Sequence, residues 1–298
     1  MAWLVALVLW IPAARCAEVR VLIADDALYY RDAATSLRQR LSELDPGTLV
    51  KIDTDLSGPW APEDLLVTLG SRAMEVLRAR YPERAALHLF ITRDAWLQQR
   101  ARDPGIQFNP ALAIDQPPRY PIALARALLP EAKSLAIVLG PISRKHLELV
   151  QREAAAARFE PLVGVLGPED NPLATLAPLL GAADAALVLP DRTDFNSAVA
   201  KWLLQLGFRE RTPVIAFSQA YVSAGALASI FVTPEEIGRA GAELLDRWRR
   251  TGEYPPGLSD PGDYSIATNA AVAEALGIRL PDAEQLKQRL AATLEAMR

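Results

Sequence analysis

Cysteine is almost absent: Cys16 is the only one in 298 residues. No intrachain disulfide can form, so the fold must rest on its apolar core. Histidine is nearly as scarce. His88 alternates with apolar residues in a strand-like run and His146 sits in a charged helical stretch; neither is spaced from a second ligand as a metal site requires. The chain has no Gly-x-Ser-x-Gly elbow and no Gly-rich phosphate loop, so the common acyl- and phosphoryl-transfer machineries have no footing. Basic residues are outnumbered 32 to 36 by acidic ones, and a nucleic-acid surface needs clustered Lys and Arg instead. No apolar run reaches the roughly 20 residues that span a bilayer. Low-complexity segments and short-period repeats are missing too. These absences argue against an enzyme, a cofactor carrier, a metalloprotein and a membrane-spanning chain.

What is present begins with a leader. Ten apolar side chains follow Met1 without a charge, and Pro12, Ala13 and Ala14 then break the run before Arg15-Cys16-Ala17. So short a run reads as the apolar core of a secretory signal over residues 1–17, a buried first element being the alternative. Ala14, Cys16 and Ala17 are each candidates for its last residue. Cys16 raises a lipid anchor, which the bulky charged Arg15 directly before it disfavours. Removal of the leader takes Arg15, leaving 31 basic against 36 acidic residues, net −5. The mature chain is expected to be periplasmic and monomeric. Its roughly 280 residues suit two domains of ordinary size.

Strand-like runs rich in Val, Leu and Ile recur through those residues and most lead into helical sequence. Runs at 19–24, 49–52, 64–70 and 87–91 alternate with helical stretches at 28–44 and 72–80. Residues 103–118 hold four prolines and little periodicity, so they read as a connection. A second cycle has helical stretches at 120–129, 144–158 and 173–180 and strands at 135–139, 161–166, 185–189 and 214–217. Thr233 is placed to cap a helix with Pro234 at its first position and Glu235-Glu236 in its first turn. Such alternation predicts α/β sheets of the parallel, doubly wound kind, whose ligands bind at the carboxyl ends of strands.

Four motifs in the last third carry a family likeness: Pro213-Val-Ile-Ala-Phe217, Tyr221-Val-Ser-Ala-Gly-Ala-Leu227, Pro234-Glu-Glu-Ile-Gly-Arg239 and Asn269-Ala-Ala-Val-Ala-Glu-Ala-Leu-Gly-Ile278. They resemble the substrate-binding proteins of ABC transporters, specifically the tryptophan/tyrosine-type periplasmic family. The likeness extends to Leu129-Pro-Glu-Ala-Lys-Ser-Leu-Ala-Ile-Val138 and Val67-Thr-Leu-Gly-Ser-Arg-Ala73 and thins over residues 45–60 and 100–115. There the family carries an Asn-containing strand end and a Gly-rich turn, where this chain has Ile52-Asp-Thr-Asp55 and Phe108-Asn-Pro-Ala-Leu-Ala-Ile-Asp115. The resemblance implies two doubly wound lobes of the type I periplasmic binding-protein architecture, joined by a three-strand hinge. It places 18–116 with 230–257 in the first lobe and 117–229 with 258–298 in the second. It implies capture of a small, amino-acid-like ligand between the lobes for an ABC permease. The alternative is a ligand-sensing or accessory module of the envelope, not coupled to transport.

Polar groups after the strands are the candidate ligand contacts. In the first half Asp25 and Asp26 follow the first strand, where a carboxylate can meet an amine or merely cap a turn, and Tyr29 lies one helical turn on. Gly70 and Ser71 open a helix whose amides can take an anion, or which Ser71 simply caps. Thr92 and Arg93 end another strand; Arg93 can hold a carboxylate in two hydrogen bonds or pair with Asp94. In the second half Pro141 and Ser143, Asp191 and Arg192, and Ser218 with Tyr221 follow three strands. Tyr221 is positioned either to stack on a planar ligand or to pack beneath the hinge. Asp191 matches an Asp that the family places after its strand end, which implies that it meets the ligand's amine.

Overall fold

The computed structural model describes residues 18–167, 169–191 and 193–298. The expected leader, with Cys16, and the candidate Arg192 lie outside them. The chain enters through β1 (Val19–Ile23), α1 (Leu28–Leu44), β2 (Val50–Asp53), β3 (Leu65–Leu69), α2 (Ser71–Arg80), β4 (Ala86–Ile91), α3 (Arg93–Arg102), a 3-10 turn (Pro104–Phe108) and β5 (Pro110–Ala113). It then runs through α4 (Arg119–Leu128), β6 (Ser134–Leu139), a 3-10 turn (Ser143–His146), α5 (Leu147–Ala156), β7 (Glu160–Val165), α6 (Pro172–Gly181), β8 (Ala185–Val188), α7 (Thr193–Arg209), β9 (Val214–Ala216), α8 (Gln219–Ala224) and β10 (Ala228–Phe231). The last elements are α9 (Pro234–Thr251), β11 (Gly257–Ser259), β12 (Ser265–Thr268), α10 (Ala270–Leu276) and α11 (Ala283–Ala296).

Two six-stranded sheets result, ordered β11-β5-β4-β3-β1-β2 and β12-β10-β9-β8-β6-β7. Every pairing is parallel except β12 against β10. Parallel sheets are covered on both faces, which is why the strands read as continuous apolar runs. In β6, Leu135, Ile137 and Leu139 join one core cluster while Ala136 and Val138 join the cluster across the sheet. In β1, Val19, Val21 and Ile23 face one way and Leu22 the other.

The chain passes between sheets after β5, after β10 and after β11. β10, including Ile230 and Phe231, pairs in the second sheet, and all of β11, including Leu258 and Ser259, pairs in the first. The expected lobe limits at 230 and 257 therefore move by two or three residues, because a strand cannot be cut without losing its ladder. β5 occupies part of the proline-rich stretch expected to be a connection. Its four residues are all buried, but the run is too short and proline-led to stand out. Thr233 caps α9 in a full capping box: its hydroxyl accepts from Glu236 N–H and the Glu236 carboxylate accepts from Thr233 N–H. Ser71 caps nothing. Gly70 is the N-cap of α2 and Ser71 its first helical residue.

Candidate functional site

At the carboxyl edge of the first sheet, Asp25 and Asp26 are exposed. Asp25 Oδ1 accepts from Ala27 N–H at 3.0 Å and the Asp26 carboxylate pairs with Arg31. Tyr29 remains 45% exposed and stacks on Phe90, rings 5.5 Å apart and 22° from parallel. Tyr30 stands edge-on to both, 4.4 Å from Tyr29 and 5.4 Å from Phe90. Burial, with Tyr29 and Asp25 beside it, pushes the Tyr30 hydroxyl up to about 12.

This aromatic group depends on two unusual backbone positions. Gly70 has φ +87°, and a Cβ there would come within 2.2 Å of Tyr30 Oη. Only glycine lets Tyr30 lie over the start of α2. Phe90 has φ +62°, a left-handed conformation in a strand, where the register of β4 against β5 shifts between His88 and Ile91. Bulky residues adopt that region at a cost of roughly 1–2 kcal/mol, and such outliers gather at functional sites. Sequence reasoning passed over Tyr30 and Phe90. The Tyr29-Tyr30 doublet was a visible signal, whereas Phe90 looked like any other residue of an apolar strand.

Thr92 is spent on capping α3, its hydroxyl accepting from Ala95 N–H at 3.1 Å. Arg93 is also committed: its guanidinium pairs with Asp260, and its N–H donates to Asp115 Oδ1 at 2.8 Å. Burial holds the Asp115 carboxyl above the usual range, against the Arg93 N–H bond. Asp115 follows β5 and Asp260 follows β11, so Arg93 ties the end of β4 to two of the three crossings. The expected carboxylate receptor is thus a hinge tie, because a fixed acid outcompetes a transient one. The neighbouring Asp94, expected only as a partner for Arg93, reaches the other lobe. Lys145 Nζ lies 2.7 Å and His146 Nε2 3.5 Å from its Oδ1.

In the second lobe the Asp191 carboxylate gathers Ile142 N–H at 3.2 Å, Ser143 N–H at 2.7 Å and Ser143 Oγ–H at 2.6 Å. Ser143 Oγ in turn accepts from Gly140 N–H at 2.8 Å. Asp191 thereby moors the loop after β6, with half-buried Pro141 and the turn bearing Lys145. Ser143, offered by the sequence as a ligand contact, closes that loop and is 2% exposed. Ser218 precedes α8 and its side chain makes no capping bond. Tyr221 is 8% exposed, 5.0 Å from Phe217 and set in the core cluster of the β8 and β9 face. Burial pushes its hydroxyl up to about 12. It packs into that core instead of standing open.

His88 is fully buried, its Nδ1 2.8 Å from Thr68 Oγ1, and burial pulls its pKa down to about 3. Among the described residues no group of three or more His, Cys, Asp or Glu could hold a metal, and no helix is long and apolar enough to cross a membrane. The described groups can orient and hold a small polar molecule.

No protein-family profile matches the chain, and no curated protein matches it. Solved structures do. The ligand-free, open form of a substrate-binding protein with adhesive properties from Clostridium difficile aligns over 91% of this chain and 98% of its own, at a TM-score of 0.74 and 14% identity. An ABC domain in complex with L-Trp from Streptococcus pneumonia aligns over 91% and 98%, at 0.56 and 16%. The arabinose-binding protein AraP from Geobacillus stearothermophilus aligns over 87% and 99%, at 0.52 and 10%. The fold is the one these binding proteins share. At such identities the likeness lies in the architecture alone: two α/β lobes of the type I periplasmic binding-protein kind. The ligands of the relatives differ, one an aromatic amino acid and one a sugar.

Proposed function

We propose that the protein is an exported, non-enzymatic solute-binding protein that captures a small amino-acid-like ligand between its lobes and presents it to an ABC permease. The observation that carries this reading is the bridge from Asp94, after β4, to Lys145, after β6. It means that the carboxyl ends of the two sheets meet, and these are the ends where such sheets hold ligands. The same carboxyl ends carry the exposed Tyr29 after β1, the first amides of α2 after β3, and the Asp191-moored loop. In this reading the α2 amides take the ligand's carboxylate in place of Arg93, Asp25 faces its amine, and Asp191 acts by holding the loop. Hinge closure follows because the ligand gains contacts to both lobes only when they approach.

A second reading is an envelope binding module uncoupled from transport. It is favoured by the segment at Ile52-Asp53, where the resembled family places a polar strand end near its cleft. Here the Asp53 carboxylate is taken by Arg20 at 3.4 Å and Trp60 Nε1–H at 3.2 Å.

Thermal-shift screening of the mature protein against amino acids, sugars and organic anions tests both, followed by calorimetry on the hits. Amino-acid hits that weaken in Asp191→Ala, which frees the loop after β6, are the expected result. Sugar hits alone would remove the ligand class while leaving the cleft. Silence across the library favours the uncoupled module. A verified ligand that binds Asp191→Ala as tightly as the parent overturns the site.

A further inference from the structure

On α3, Arg93, Trp96, Leu97 and Arg100 fall at helical spacings of three, four and seven, so they share one face. That face looks onto Phe108 and Leu258 of β11, the edge strand of the first sheet. Together they border an open groove of about 620 Å³ on the flank of the first lobe. The floor is Trp96, 3% exposed and packed with Met74, Ile91 and Ile106. The rim carries two large apolar side chains in water, Leu97 at 46% and Phe108 at 67% exposure.

Its charged lining groups are arginines, and Gln107 is its one neutral polar side chain. No acidic residue lines the cavity. Arg100 has no ion-pair partner among the described residues. Arg93 gives one guanidinium nitrogen to Asp260, just outside, while its Nε is buried without a hydrogen-bond partner. The unpaired Arg100 guanidinium beside an apolar lining disfavours a cation, and a sugar would find Gln107 as the one side-chain acceptor to match its hydroxyls.

We propose that this cavity is a second ligand site, separate from the interlobe cleft, for a small amphipathic carboxylate whose apolar or aromatic body lies on Trp96 and Phe108 and whose carboxylate meets Arg100. Charge-assisted Arg–carboxylate bonds over apolar contact are the recognition it supplies.

The probe is 4-phenylbutyrate, titrated into the full mature chain by calorimetry with 4-phenylbutanol as the uncharged control. Arg100→Gln and Phe108→Ala both change exposed side chains, and unaltered melting temperatures will confirm that they fold. The expected result is saturable binding with one site, weakened about fivefold to tenfold by each substitution, with the alcohol at least about fivefold weaker than the acid. Tyr29→Ala, in the cleft, should leave this binding unchanged. The proposal is overturned by no saturable binding to the parent, by equal binding of acid and alcohol, or by affinity that survives both flank substitutions. It is equally overturned if Tyr29→Ala alone removes the binding, since the probe would then occupy the cleft.

Discussion

At the residue scale, burial decides what each polar group does. His88 lies opposite Thr68 in the β3–β4 ladder, fully shielded from solvent, so it folds neutral with a pKa near 3, lowered first by desolvation and then by Arg78. An unfolded His titrates near 6.5. Between those values the unfolded chain binds a proton that the folded chain refuses, so stability is full above about pH 6.5 and declines as the pH falls toward 3. Comparing urea unfolding at pH 7 and pH 4.5, we expect the parent to lose about 2–3 kcal/mol more than His88→Leu does. Parallel losses in the two proteins would mean that His88 is not the group responsible. Asp191 and Arg93 obey the same logic: each is spent on a fixed partner at the place where sequence alone offered it to a ligand.

At the element scale, the first lobe is sealed by α9 lying along α1. The contact is close because Gly238 removes a side chain where none fits: a Cβ would come within 2.3 Å of Ala33 O and 3.0 Å of Leu37 N. Those are backbone atoms, which cannot swing aside. Gly238→Ala raises helix propensity by up to about 1 kcal/mol, yet overpacking of this kind costs more. We expect a net loss of roughly 1–3 kcal/mol in chemical unfolding, and an unchanged or raised stability would show that α9 can shift off α1. Ser36 Oγ–H to Glu235 O at 2.8 Å, and Arg40 to Glu243 at 2.9 Å, hold the outer rim of the same contact. The Thr233 cap, the proline at the first position and the acidic first turn of α9 were legible beforehand. The glycine's role was not, since it depends on a helix some 200 residues earlier in the chain.

For the whole molecule, the point of interest is how firmly the lobes are held. Besides the three crossings, Asp94 pairs with Lys145 across the gap, their side chains 23% and 44% exposed. A pair so open to solvent contributes at most about 1 kcal/mol. That is still enough to shift a population between open and closed forms by about fivefold. Lys145→Met should therefore enlarge the radius of gyration of the ligand-free protein in small-angle scattering, and raised salt should move the parent the same way. Identical scattering curves for parent and variant at low salt would show that the bridge does not bias the hinge.

The sequence by itself determined that this is an α/β protein with parallel strands buried on both faces, because apolar runs between helical segments have few other ways to hide their surface. It also located most of the strand ends from which polar groups project, and it marked α9 by its cap. Only the tertiary structure decided which of those groups are already taken. The Arg93–Asp260 pair, the Asp191-moored loop, the burial of Tyr221 and the Tyr29–Tyr30–Phe90 cluster all join residues far apart in the chain. Local pattern records what a residue can do with its neighbours in sequence, whereas a hydrogen bond or a stacked ring is settled by neighbours in space. β5 stayed hidden for the same reason, a four-residue strand whose identity rests on β4 and β11 at its sides.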